Sequence, residues 1–234
     1  MRLLLLSNSS TPGAHYLGWA REHLRSFLGG LPGPAAFIPY AGVTVTWPDY
    51  EAKVRAVFEE LGIGLESTAA VGDPVNLIRN APAIVAGGGN TFALLRELYR
   101  LGLMEPIRER VRAGAAFAGW SAGANLACPT ICTTNDMPIV EPPGFKALGF
   151  VPFQINPHYT DARLGGHGGE SRDDRIAEFV AANPGVPVLG LREGSLLRLE
   201  RGILALEGNA ARLFGKGVPR DLEPGDDLSF LYPP

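Results

Sequence analysis

With 234 residues, 46% of them apolar and 19% charged, the chain is long enough for one α/β domain with a substantial core. A formal net charge of −3 leaves no basic excess, which argues against a nucleic-acid partner, and no apolar run reaches the length of a bilayer span. The longest apolar candidate, Leu3 to Leu6, has a buried strand's length and is too short for a signal-peptide core, so a cytoplasmic location is expected.

In chain order, Arg2 to Ser7 reads as a buried strand, followed by a helix from about His15 to Leu28 and a second strand from Ala35 to Pro39. Asp49 reads as an N-cap, with Tyr50, Val54, Val57, Phe58 and Leu61 at helical spacing behind it. Ile63 to Ser67 is a third strand. Pro82 to Ala86 is a fourth, ending in Gly87-Gly88-Gly89-Asn90, with a helix opening at Thr91 or Phe92. A helix around Pro106 to Arg112 follows, and a fifth strand, Ala115 to Ala118, runs into Gly119-Trp120-Ser121-Ala122-Gly123. Strands alternating with helices predict a mostly parallel sheet covered by helices on both faces.

The second half is less regular. Val151 to Ile155 and Val186 to Leu189 read as strands, with a helix from about Arg172 to Ala182 between them, and Ser195 to Leu206 reads as a hairpin turning at Arg201-Gly202. Pro142-Pro143-Gly144 and Gly165-Gly166-His167-Gly168-Gly169 mark loops. Without an internal repeat or a linker, the expectation is one catalytic domain over residues 1–234. Cys128 and Cys132 lack both the further ligands of a zinc site and the Cys-x-x-Cys spacing of a redox pair. They are expected to be reduced, largely buried thiols without a function.

Gly-x-Ser-x-Gly between a strand and a helix is the sequence form of a nucleophile elbow, which makes Ser121 the candidate nucleophile. Such a serine sits on a strained turn that only small neighbours allow, and Gly119, Ala122, Gly123 and Ala124 supply them. The run Gly87-Gly88-Gly89-Asn90 carries neither a dinucleotide nor a P-loop pattern. In a parallel sheet it emerges at the same carboxyl edge as Ser121, where ligands bind. The amides of Gly88 and Ala122 are therefore the candidate oxyanion donors, and Asn90 is a candidate substrate contact.

A serine nucleophile needs a base. Of His15, His23, His158 and His167, the first two fall on the first helix as surface residues, and His167 falls in the glycine-rich loop. Elimination favours His158, which follows a strand through Asn156-Pro157. Its carboxylate partner is either Glu193 or Asp136, and spacing does not decide between them. The order Ser121, His158, Glu193 differs from that of α/β-hydrolases.

Together these segments resemble the peptidase E family of aspartyl dipeptidases, within the class I glutamine amidotransferase-like superfamily. The resemblance is carried by Leu3 to Ser9, Phe37-Ile38-Pro39 with Ala41 to Thr44, Gly87 to Phe92, Gly119 to Pro129, Thr133 to Val140, Ile155-Asn156-Pro157-His158, and Gly190-Leu191 with Glu193-Gly194. It implies a class I amidotransferase-like α/β fold and hydrolysis of dipeptides with an N-terminal aspartate by a triad of Ser121, His158 and Glu193. No cofactor or metal is implied. It further implies that Arg172 holds the substrate's aspartate side chain, a role that suits the guanidinium fork. A lid over about Tyr159 to Ser171 is expected to deliver that arginine. The expected partners are small peptides with an N-terminal Asp, with neither nucleic acid nor membrane, and the expected state is a monomer or small homo-oligomer. Competing expectations are a cyanophycinase-like peptidase using the same triad on β-linked aspartyl polymers, and a non-catalytic amidotransferase-like binding protein.

Overall fold

The strands form where short apolar runs are too brief for a helix and too apolar for a surface. In the computed structural model, which describes residues 1–162 and 169–232, the all-leucine stretch of β1 (Arg2–Leu6) is buried throughout its apolar length. So are β2 (Ala35–Ile38), β4 (Ala83–Ala86) and β5 (Ala116–Trp120). Strands buried on both faces are the mark of a parallel sheet between helical layers. With β3 (Leu65–Ser67) and the hairpin of β8 (Ser195–Glu200) and β9 (Ile203–Gly208), they form a seven-stranded sheet in the order β3-β2-β4-β5-β1-β8-β9. The pairs from β3 through β1 are parallel, and β1–β8 and β8–β9 are antiparallel. The hairpin turns at Arg201-Gly202, both at positive φ (54° and 81°), as a tight turn matched to strand twist requires.

Alternate side chains go to opposite faces. Leu3 and Leu5 join one buried cluster with residues of α3 (Pro74–Asn80), α4 (Thr91–Arg100), α5 (Met104–Arg112) and α6 (Ala122–Leu126). Leu4 and Leu6 join the other, with α1 (Arg21–Leu28) and α2 (Trp47–Glu60). The expected sheet with helices on both faces is therefore the fold's main layer.

A second sheet, ordered β11-β10-β7-β6, contains β6 (Gln154–Tyr159), β7 (Val188–Arg192), β10 (Ala211–Phe214) and β11 (Arg220–Leu222). The predicted second-half strands thus leave the main sheet and pair with each other in parallel. Both sheets feed one cluster, since Leu189, Leu191, Ala211 and Leu222 pack with Leu3 and Leu5. The helix α7 (Arg172–Ala182) lies as predicted, started by a capping box between Ser171 and Asp174.

Several expectations shift. Leu17 at φ 53° and a 3₁₀ turn over Gly18–Ala20 delay the first helix to Arg21, so His15 lies outside it. His23 is on that helix but is only partly exposed, with Nδ1 2.8 Å from Glu207 Oε2. Thr46, not Asp49, caps α2, because Pro48 fits the first turn; Asp49 donates its backbone N–H to the threonine hydroxyl at 3.2 Å. The helix α3, capped by Asp73, and the strands β10 and β11 were not anticipated. Cys128 is buried as expected, and burial pushes its thiol up to about 12, whereas Cys132 is exposed, contrary to expectation. Among the described residues no helix is long and apolar enough to cross a membrane.

The two sheets are joined at the carboxyl end of β1. Ser7, fully buried, donates its hydroxyl to the Leu191 carbonyl (2.8 Å) and accepts from the His158 N–H (2.9 Å). The next residue, Asn8, accepts the Gly194 N–H at 2.8 Å. Ser7→Ala leaves a partly buried N–H and a buried carbonyl each short of a partner, at about 1–3 kcal/mol. We expect its melting temperature to fall by several degrees, while the exposed Ser10→Ala stays within about 0.5 kcal/mol of wild type. Urea and thermal unfolding measure both; equal stability of the two variants would remove Ser7 from the joint.

Candidate active site

The carboxyl ends of the parallel strands converge. From β5 the chain enters Ser121, whose φ of 53° and ψ of −113° lie where a residue with a side chain is strained. Three backbone bonds hold it there: Ser121 N–H to Leu6 O (3.0 Å), and Ala124 and Asn125 N–H to Ser121 O (2.9 and 3.1 Å). The flanking glycines are required by packing. A Cβ on Gly123 would run into the Ala86 carbonyl, and one on Gly119 would lie 2.5 Å from the Gly123 carbonyl oxygen.

His158 sits at a register shift between Asn156 and Tyr159, with a φ of 52°. Such irregularities re-aim a side chain at the end of a strand. Its Nε2 lies 3.1 Å from Ser121 Oγ, and its Nδ1 lies 2.9 Å from Glu193 Oε1. With Nδ1–H donated to the carboxylate, Nε2 is left to accept the serine hydroxyl. Glu193 follows β7 and is held by its backbone: Asn209 Nδ2 donates to its carbonyl (2.7 Å), and Gly194 turns at φ 80° beneath Asn8. The structure therefore brings Ser121, His158 and Glu193 into one hydrogen-bonded chain.

Asp136 is elsewhere. Its Oδ2 accepts from the Thr91 N–H (2.7 Å), the Thr91 hydroxyl (2.5 Å) and the Thr134 hydroxyl (3.1 Å). The first turn of α4 and the hydroxyls of Thr91 and Thr134 satisfy this carboxylate, so Asp136 is not the third triad member here.

Gly88 lies against the nucleophile. A Cβ there would come within 2.9 Å of Trp120 Cδ1 and 3.1 Å of Ser121 Cβ. The Tyr50 hydroxyl donates to the Gly88 carbonyl (3.0 Å) and accepts from Trp120 Nε1 (3.2 Å) and from Tyr16 (3.3 Å). Burial pushes the Tyr50 phenol up, so it stays a neutral donor. Ala122 opens α6, where the first helical N–H groups have no partner within the helix. The two proposed oxyanion donors thus flank Ser121. Asn90 lines the adjoining cavity, but its Oδ1 caps α4 through the Ala93 N–H (3.0 Å) and its Nδ2 donates to Met137 O (2.9 Å). Its side chain is engaged by the fold.

The cavity, about 590 Å³, has Ser121 and His158 in its wall with Tyr16, Tyr50, Lys53 and the 41–45 loop. Arg172 is not in that wall. It lines a small separate cleft with Asn135 and Asn156, and its Nη1 donates to Asn135 Oδ1. Asn135 Nδ2 in turn donates to the Pro157 carbonyl (2.6 Å), one residue before His158. Burial, and then the neighbouring Arg175, lower the guanidinium's pKa, and among the described residues no carboxylate lies within 4.0 Å of it. The centre of the expected lid, including His167, lies outside the described residues.

The sequence assigns no site role to Ser7, Asn8, Tyr50, Asn135 or Asn209. The signal for the first two was present: polar Ser7-Asn8 directly after an all-leucine strand. The others lie far from the motif in sequence.

Comparison with known proteins places the chain in a family. The family model described as peptidase family S51 matches residues 3–206. A protein named peptidase E from Nostoc sp. (strain PCC 7120) is 47% identical over 232 residues, covering 98% of this chain and 96% of the relative. One of the same name from Citrobacter koseri is 50% identical over 218 residues, 93% of this chain and 95% of its own. Among solved structures, a Listeria monocytogenes EGD-e protein described as a candidate peptidase E matches with a TM-score of 0.67 at 24% identity, covering 88% of this chain and 98% of that one. A peptidase from an acI-B1 Actinobacterium matches with a TM-score of 0.71 at 17% identity, covering 98% and 96%. These two likenesses establish the fold, while the family match and the sequence relatives establish kinship. The chain belongs to peptidase family S51 and is a peptide hydrolase.

Proposed function

We propose that this peptidase is a cytoplasmic serine dipeptidase that cleaves Asp-Xaa by way of Ser121, His158 and Glu193. The observation that carries the proposal is the continuous path Ser121 Oγ–His158 Nε2 (3.1 Å) and His158 Nδ1–Glu193 Oε1 (2.9 Å) at a strained elbow. As Ser121 Oγ attacks the scissile carbonyl carbon, His158 takes its proton and Glu193 stabilises the imidazolium. The charge on the carbonyl oxygen is received by the amides of Gly88 and Ala122. His158 then passes the proton to the leaving amine, the C–N bond breaks, and an acyl-serine remains. Water, deprotonated by the same imidazole, attacks the acyl carbon and restores the serine.

Specificity for aspartate rests on Arg172. A partly buried guanidinium with a neutral amide as its side-chain partner is suited to a ligand carboxylate, and Asn135 links it to the peptide preceding His158.

Ser121→Ala is expected to lower turnover of Asp-Leu on the order of 10⁴-fold or more with an unchanged melting temperature. Near-normal turnover would remove the serine mechanism. Glu193→Gln should lose roughly 10³–10⁴-fold, because the amide lacks the charge that supports the imidazolium. Asp136→Asn, which touches the start of α4, should chiefly lower stability; the opposite ranking in folded variants would overturn the assignment. Arg172→Ala should cost Asp-Leu tens-fold or more in kcat/KM, from about 2–5 kcal/mol for a desolvated carboxylate left without its partner. Asn-Leu should lose far less. A panel of Asp-, Glu- and Asn-Xaa with acetyl-Asp-Xaa reads the specificity directly, and equal losses on Asp-Leu and Asn-Leu would take the aspartate away from Arg172.

A further inference from the structure

The cavity that holds Ser121 and His158 has one cationic side chain in its wall among the described residues, and nothing in the mechanism uses it. Lys53 stands three residues after Tyr50 on α2, so helical spacing puts the two on one face. Tyr50 turns inward to the Gly88 carbonyl and to Trp120 Nε1, beside the nucleophile. Lys53 leans along the wall, its Nζ 4.1 Å from the centre of the Tyr16 ring, and the Tyr16 hydroxyl bonds to that of Tyr50. The ammonium is thereby tied through two aromatic side chains to the oxyanion loop. Among the described residues no carboxylate lies within 4.0 Å of it, whereas Arg55, two residues further along α2, pairs with Glu51.

We propose that Lys53 is the counter-charge for the free carboxylate of the leaving residue, which deepens and rests on the dipeptidase reading. In a dipeptide that carboxylate carbon is about one residue length, ~3.8 Å or less, from the scissile carbonyl carbon. A cation that reads it must therefore reach into the nucleophile's own cavity, and Lys53 stands in that cavity's wall. The apolar side chains of Val43, Val45 and Ile139 line the same cavity and are exposed, leaving apolar surface for the leaving residue's side chain beside the ammonium. An ammonium seated against an aromatic ring is held in place to meet a carboxylate there.

The test compares Asp-Leu with Asp-Leu-amide, which differ only in that carboxylate, using wild type, Lys53→Met and Lys53→Arg. Lys53 is exposed, so the methionine keeps the aliphatic stem without disturbing the core. The expected result is a loss of about tenfold to a hundredfold in kcat/KM on Asp-Leu for Lys53→Met, mostly in KM, with the amide unchanged within about twofold. Lys53→Arg should recover part of the loss. Equal losses on acid and amide, or no loss on the acid, would overturn the proposal. If the enzyme cleaves a different Xaa-Leu in preference to Asp-Leu, the aspartate reading fails but the acid–amide pair of that peptide tests Lys53 in the same way. If it cleaves no dipeptide, the proposal falls with the dipeptidase reading.

Discussion

The candidate triad depends on one buried hydroxyl. Ser121 stands on β5 of the main sheet, whereas His158 and Glu193 stand at the ends of β6 and β7 in the other sheet. Two sheets that merely packed on each other would fix this relation only as well as side-chain packing does. Ser7 does more, because one oxygen is bonded to two strands of the second sheet, β6 and β7, while its own backbone continues β1, the neighbour of β5. Asn8 repeats the connection one residue later through Gly194. Proton transfer from serine to histidine tolerates little displacement, since a misplacement of about 1 Å can cost on the order of a hundredfold in rate. A directional bond buried from water is the kind of contact that holds such a tolerance.

The same logic governs the nucleophile and its oxyanion loop. The φ of Ser121 is unfavourable in isolation and persists because β5, α6 and the Leu6 carbonyl leave the backbone no other course. Gly119 and Gly123 admit that course by lacking a Cβ where the backbone of a neighbouring element passes. On the opposite side, the Tyr50 hydroxyl spends its single proton on Gly88 O and receives from both Trp120 and Tyr16. Trp120 immediately precedes Ser121, so one phenol ties the oxyanion loop to the elbow it must face.

These features explain what was legible in the sequence. The elbow was legible because strain demands glycine at fixed offsets from Ser121, and a local demand leaves a local signature. The core strands were legible because burial on both faces requires unbroken apolar runs such as Leu3–Leu6. The choice between Glu193 and Asp136 was not legible from spacing, since it depends on which strand end faces His158 and which carboxylate is already bound by Thr91. Placing β6 and β7 in a separate sheet was likewise beyond a pattern of apolar residues, because strand pairing is a long-range contact. The late start of α1 turned on a left-handed backbone at Leu17, a conformation the leucine side chain gives no reason to expect.

Charge placement offers a physical account of selection by length. A dipeptide with an N-terminal aspartate carries one carboxylate on each side of the scissile bond. The two cations proposed for them come from opposite halves of the chain, Lys53 from α2 and Arg172 from α7, and line separate recesses. They also differ in kind. Arg172 presents a planar fork in a polar cleft beside Asn135, suited to a fixed geometry, whereas Lys53 presents a mobile point charge at an aromatic wall. The first suits a side chain of one defined length, and the second tolerates different leaving residues so long as the carboxylate falls within reach. A third residue on the substrate would replace that carboxylate with a neutral amide and carry the charge about 3.8 Å further along the chain. Longer peptides would then be disfavoured by the loss of an ion pair, even in a cavity open enough to admit them.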